Sequence, residues 1–162
     1  MRLTYSRFVL MATMFILAVS TSHPAYSQTR KETEEFLVKN IAGTVTEYKS
    51  KYGIATTRWD IKFNKDIVTI KENKNAYTFD IKNIDPDNIE LSQLEDGSYQ
   101  IDLKTHDGKM LVKRTYANKN TDPLDTYHAQ LFNITAEKRT ANQLLKAFKH
   151  LATLAQPKEA FE

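Results

Sequence analysis

The side chains able to do chemistry in this chain are histidines, carboxylates, hydroxyls and a group of cations. There is no cysteine, which removes thiolate nucleophiles, cysteine metal sites and disulfides together. Beyond the first 27 residues the histidines are His106, His128 and His150. No two stand at the i, i+4 spacing that aims two imidazoles at one metal, so they read as boundary histidines, and the expectation is no metal and no cofactor. Asp85-Pro86-Asp87-Asn88-Ile89-Glu90 opens like a calcium loop, but Ile89 stands where an oxygen ligand is needed and Glu90 where glycine is needed. It reads as a turn rich in solvated carboxylates. A hydrolase using Asp or Glu with one histidine stays open as an alternative, because such groups meet in space rather than in sequence; no Gly-x-Ser-x-Gly elbow supports it.

Charge is unevenly placed. Asp80, Asp85, Asp87, Glu90, Glu95 and Asp96 crowd one stretch against Lys82 alone, and Lys104, Lys109, Lys113, Arg114 and Lys119 follow with Asp102 and Asp107. Neighbouring strands can pair such charges across a sheet; the same asymmetry makes a bipolar surface for a partner. Tyr116 and Tyr127 lie at strand ends and Phe161 in the tail, where aromatics stay exposed. The candidate partner surface is therefore Lys113, Arg114, Tyr116, Tyr127 and His128. The chain has 23 Lys and Arg against 20 Asp and Glu, and two of those cations, Arg2 and Arg7, lie in the first 27 residues, so the remainder is nearly neutral. With no basic-aromatic interleaving, nucleic acid is not the expected partner; a protein or peptide of the cell envelope is.

The elements that must position these groups are legible in the periodicity. Thr29-Arg30-Lys31-Glu32 has the form of a capping box, Phe36, Leu37 and Ile41 follow at helical spacing, and Gly43 is a natural stop, which predicts a helix over about 30–41. From about 54 to 134 the pattern alternates: Trp59, Ile61 and Phe63; Tyr77, Phe79 and Ile81; Ile89 and Leu91; Tyr99, Ile101 and Leu103. With strands at about 67–71, 110–116 and 127–133, about seven strands are expected, separated by turns at 64–66, 73–75, 85–88, 95–97 and 106–108, the last two Asp-Gly hairpin markers. Trp59, in phase with Ile61 and Phe63, is expected in the core. Asn133-Ile134-Thr135 matches a glycosylation sequon but coincides with a strand-to-helix junction where Thr135 would serve as N-cap. Ala141, Leu144, Leu145, Phe148, Leu151, Ala152 and Ala155 then form one apolar helical stripe, ended near Pro157.

This order of elements resembles the pleckstrin-homology-like superfold over about residues 54–155. The resemblance implies an α+β domain: a strongly bent antiparallel sheet, or partly open barrel, of about seven strands, with a short N-terminal helix and a long C-terminal amphipathic helix packed on the sheet. The lipid-binding function of that superfold does not come with it, because the corresponding turn Phe63-Asn64-Lys65-Asp66 offers one lysine beside an aspartate. The segment from Ala141 to Leu151, with Phe161 close behind, also resembles the C-terminal part of small exported Bacteroidota proteins of unknown function.

The first 27 residues have the form of an export leader: Arg2 and Arg7, an uncharged apolar run from Phe8 to Val19, then Ala25-Tyr26-Ser27 in the small-x-small pattern. The run falls short of the roughly 20 residues that span a bilayer, and no cysteine follows it for lipid attachment. The expected organisation is a signal peptide over 1–27 and one globular domain over 28–162, periplasmic or secreted, without a membrane anchor once the leader is gone. The expected function is a non-catalytic binding or interaction module. Its other alternative is a carrier of a small apolar ligand, with Tyr77, Phe79, Tyr99 and Ile101 directed inward. N-terminal sequencing of exported protein should begin at Gln28; a retained Arg2–Ser27 segment would make the protein membrane-anchored instead.

Overall fold

The computed structural model describes residues 28–50, 52–73, 75–116 and 122–157. The expected leader, Lys119 and Phe161 lie outside them. Helix α1 (Arg30–Ile41) begins on the expected capping box: the Thr29 hydroxyl accepts from the Glu32 amide at 3.3 Å, and the Glu32 carboxylate accepts from the Thr29 amide at 2.7 Å. The bond from the Thr29 amide foremost, and a second that the Thr29 hydroxyl donates at 3.0 Å, hold the Glu32 carboxyl below its ordinary range. The helix buries Thr33, Leu37 and Ile41 on one face and gives way to Gly43, whose φ of 77° a residue with a Cβ rarely adopts.

Among the described residues nine strands form two antiparallel sheets, with no closed barrel, so the domain is α+β. Strands β1 (Val45–Ser50), β2 (Gly53–Asn64), β3 (Ile67–Glu72) and β4 (Asn75–Asp80) run as a meander and are joined by β7 (Val112–Thr115) and β8 (Leu124–Thr126) in the order β1-β2-β3-β4-β7-β8. Strands β5 (Ile84–Gln93), β6 (Tyr99–Thr105) and β9 (His128–Thr135) make the second sheet. The expectation of about seven strands in a single bent sheet is corrected on both counts. The strands without a sequence signal are β1 and β8, the two edges of the larger sheet. An edge strand has one neighbour and much exposed surface, so it carries little apolar alternation.

One strand end and two turn expectations change as well. Asp80 caps a short 3-10 turn over Ile81–Asn83 by accepting from the Lys82 amide, which ends β4 before the alternation does. Asp85–Asn88 is not a turn but a bulge inside β5, between the pairings Ile84↔Thr105 and Ile89↔Leu103. The Asp85 carboxylate serves that bulge, accepting from the Asp87 amide at 3.0 Å and the Asn88 side chain at 2.5 Å. Asp107-Gly108 is not a hairpin either. The chain leaves the smaller sheet there, because β6 pairs with β5 and β9 while β7 pairs with β4 and β8.

Helix α2 (Lys138–Ala155) seats its stripe against β5 above all, and against α1, β6 and β9. Ala141, Leu144, Phe148, Leu151, Ala152 and Ala155 are buried, while Leu145 is half-buried. Its N-cap is Glu137 rather than Thr135, which belongs to β9 and instead accepts from the Glu137 amide through its hydroxyl. Trp59, Tyr77, Phe79, Ile101, Phe148 and Leu151 share one core cluster. Tyr77, Phe79 and Ile101, assigned to a ligand cavity in the carrier reading, thus belong to the same packed cluster as side chains of the terminal helix. Asn133 is buried, and its Oδ1 accepts from the Ser98 hydroxyl at 2.6 Å, so the sequon asparagine is part of the packing.

A polar tie closes α1 onto the larger sheet. Arg30 reaches Asp66 at 2.6 Å and the Lys65 carbonyl at 2.7 Å, and Lys82 from the 3-10 turn meets the same carboxylate. Lys82 and Arg30 together hold the Asp66 carboxyl below its ordinary range. No helix among the described residues is long and apolar enough to cross a membrane.

Phe148 is fully buried, so Phe148→Ala should cost about 3–5 kcal/mol through lost transfer energy and the cavity left behind. Denaturant melting measures it. A loss under about 1 kcal/mol would mean a residue the core does not need.

Candidate functional site

The inner face of the larger sheet changes character along its length. Ile61↔Ile70 and Val68↔Phe79 are apolar pairs, but one register step toward the other end the pairs become Trp59↔Glu72 and Tyr77↔Arg114. Strand alternation places Glu72, Tyr77 and Arg114 on the same inner face. Glu72 is half-buried, and loss of hydration raises its carboxyl, with Arg114 pulling the other way. Trp59 is wholly buried, as its phase predicts, and its Nε1 has no hydrogen-bond partner.

Arg114 is the centre of this corner. Its guanidinium carbon lies 5.1 Å from the Tyr77 ring centroid and 5.0 Å from that of Tyr116, within cation–π range of both. Its Nε is buried without a partner, and no described carboxylate forms an ion pair with it. Across the β7–β8 pair stands Leu124, 55% exposed, so the corner opens to solvent at that edge. Lys113 alternates to the opposite face, opposite Thr78, and points to solvent.

The polar face of the smaller sheet supplies the second wall. Asp102 and Lys104 on β6 stand opposite Gln130 and His128 on β9. Lys104 pairs with Glu90 of β5 at 2.7 Å, the cross-strand charge pairing that the sequence suggests. His128 Nδ1 lies 3.4 Å from Asp102 Oδ1, yet neither atom makes a hydrogen bond. Burial raises the Asp102 carboxyl, while His128, Lys104 and a bond from Gln130 oppose it. Proximity to an imidazole alone would favour the carboxylate; the direction is upward because dehydration outweighs a neighbour held without a hydrogen bond. The Tyr127 ring stacks on His128 with centroids 4.3 Å apart and is itself 42% exposed.

Charges from both sheets act on Tyr77. Burial foremost raises its hydroxyl; Arg114 lowers it, while Glu72, Tyr116 and Asp102 add to the rise. Of the five residues expected at a partner surface, Arg114 and Tyr116 thus meet on one wall, Tyr127 and His128 on the other, and Lys113 stands apart. Sequence reasoning did not find Glu72, Tyr77 or Asp102 as members. Each is one polar group in an alternating strand, and only the pairing of β3, β4, β7 and β6 brings them together. His106 lies elsewhere, 3.9 Å from Asp85, and the His150 ring bonds the Gln28 carbonyl at 2.7 Å. No group of side chains able to hold a metal ion occurs among the described residues.

Comparison with known proteins adds no relative: the chain matches no protein-family model, no curated protein and no solved structure.

A carboxyl raised by folding binds its proton more tightly in the folded state, so the stability it contributes is full below the ordinary carboxylate range and is lost as pH rises through the raised value. Asparagine does not titrate. Asp102→Asn should therefore gain stability relative to wild type between about pH 4 and pH 7, read as a rising difference in urea midpoint. A constant difference would mean an ordinary carboxyl at this position.

Proposed function

We propose that this chain is an exported, non-catalytic binding module that engages a protein or peptide partner of the cell envelope through the corner formed by Arg114, Tyr116, Tyr127 and His128. One observation carries the reading: Arg114 is a partly buried cation with an orphaned Nε and no carboxylate in ion-pair contact among the described residues, Glu72 acting on it only at longer range. Removing a charge from water costs free energy unless it is paired, and an arginine kept for stability alone normally has a carboxylate against it. Here two tyrosine rings stabilise the charge and leave its N–H donors unused. Exposed Leu124 and Tyr127 flank the site with the apolar and aromatic surface that partners bury. Export rests on the leader-like first 27 residues, and the resemblance to the pleckstrin-homology-like superfold supports a binding scaffold without naming a ligand.

The hydrolase alternative has one observation in its favour, the Asp102–His128 pair at 3.4 Å. Such a pair activates a nucleophile only when the imidazole also reaches one, and the His128 ring bonds no hydroxyl among the described residues.

The mature protein, immobilised and exposed to an envelope extract of its source cells, should retain a partner that an Arg114→Glu, Tyr127→Ser variant of unchanged melting temperature does not. Equal retention by both proteins would remove this corner as the binding surface. Cleavage of glycosides, esters or peptides at a rate abolished by His128→Ala would replace the module by an enzyme.

A further inference from the structure

The unused donors of Arg114 carry the reading one step further, to the chemistry of what binds. We propose that Arg114 is the receptor for a carboxylate presented by the ligand, with the buried Tyr77 ring backing the guanidinium and the Tyr116 ring beside it. The inference rests on the corner being a binding surface.

The argument is one of charge number and shape. A guanidinium is a planar fork whose N–H groups match the two oxygens of a carboxylate, and ring contacts use none of those donors. Arg114 is the corner's one cation on the larger sheet, since Lys113 stands on the opposite face. On the facing wall Lys104 is taken up by Glu90, and His128 faces Asp102. Glu72, half-buried on the same face as Arg114, adds a carboxyl that would repel a doubly charged group whenever it ionises. One cation with an acid nearby suits a monoanion, whereas a phosphate dianion needs more positive charge than this corner holds. Nε–H is buried and expensive to leave unpaired, while the residue as a whole is partly exposed, so an acid would meet the outer part of the fork and complete its charge there. Exposed Leu124, opposite Arg114 across the β7–β8 pair, adds apolar surface at the open side of the subsite, where the carbon skeleton of an acid can rest.

The Arg114 Nε–H resonance is a direct reporter in two-dimensional NMR of the full mature protein. Sodium benzoate, as a free small acid, and N-acetyl-Ala-Phe with a free C-terminus, as a polypeptide carboxylate, should each shift it saturably, and the tighter of the two identifies the source. Benzamide and the C-terminally amidated peptide should leave it in place. Followed through the Tyr116 backbone amide, which survives the substitutions, Arg114→Gln should weaken the acids by at least about tenfold, as expected when a charge-assisted bond is lost, with Arg114→Lys between. Absence of saturation by either acid, equal shifts from the amides, or inorganic phosphate binding more tightly than both acids would overturn the carboxylate assignment. The acid and amide titrations of wild-type protein decide this even if the variants unfold. Partner retention lost on mutating the corner, together with flat titrations by both acids, would leave the binding module standing and remove only the carboxylate.

Discussion

Burial of the α2 stripe is the constraint on which the rest of the structure depends, because a helix with Leu144, Phe148 and Leu151 on one face cannot stay in water and no disulfide is available to hold anything else in place. The smaller sheet answers that constraint: its apolar side, Ile89, Ile101, Leu103, Ala129 and Leu131, is buried in the same cluster as the helix. Helix α1 completes the enclosure with Leu37 and Ile41. Two helices and the smaller sheet thus share one core with the apolar end of the larger sheet, as layered domains require.

A core closed at one end leaves the other end of the larger sheet to be finished differently. There the inner face carries Glu72 and Arg114 where an aliphatic pair would continue the packing. Orphaned Nε1 of Trp59 and Nε of Arg114 are costly in a folded protein, since a buried donor without a partner loses its water and gains nothing. The contrast with Arg30 is instructive. That arginine, at the other side of the sheet, has Glu34, Asp66 and the Lys65 carbonyl around it and serves to fasten α1. Arg114 fastens nothing comparable, which is the physical ground for the proposal that it serves recognition rather than stability.

The smaller sheet shows how close the two roles lie. Its outward row holds a finished pair, Lys104 with Glu90, beside an unfinished one, Asp102 with His128. The first is a partly exposed ion pair of the kind that contributes little to stability. The second keeps a carboxyl dehydrated and raised next to an imidazole that does not bond it. Its location against the aromatic surface of Tyr127 puts a titrating group at the margin of the proposed binding corner.

What the sequence determined by itself is local or periodic. The Thr29–Glu32 capping box and the α2 stripe depend on residues a few positions apart, and both helices stand where those signals put them. Alternation likewise placed Trp59, Tyr77 and Ile101 inside, since period-two patterning is a property of one strand. Only the tertiary structure decided which strands are neighbours. It added β1 and β8, whose edge positions need no apolar alternation, turned the Asp85–Asn88 segment into a bulge, and sent the chain from one sheet to the other at Asp107-Gly108. The corner belongs to that second class. Arg114, Tyr116, Tyr127 and His128 are near in sequence, but Glu72, Tyr77 and Asp102 come from three other strands. Their meeting is set by hydrogen-bonded register between distant segments, a relation that no single stretch of sequence carries.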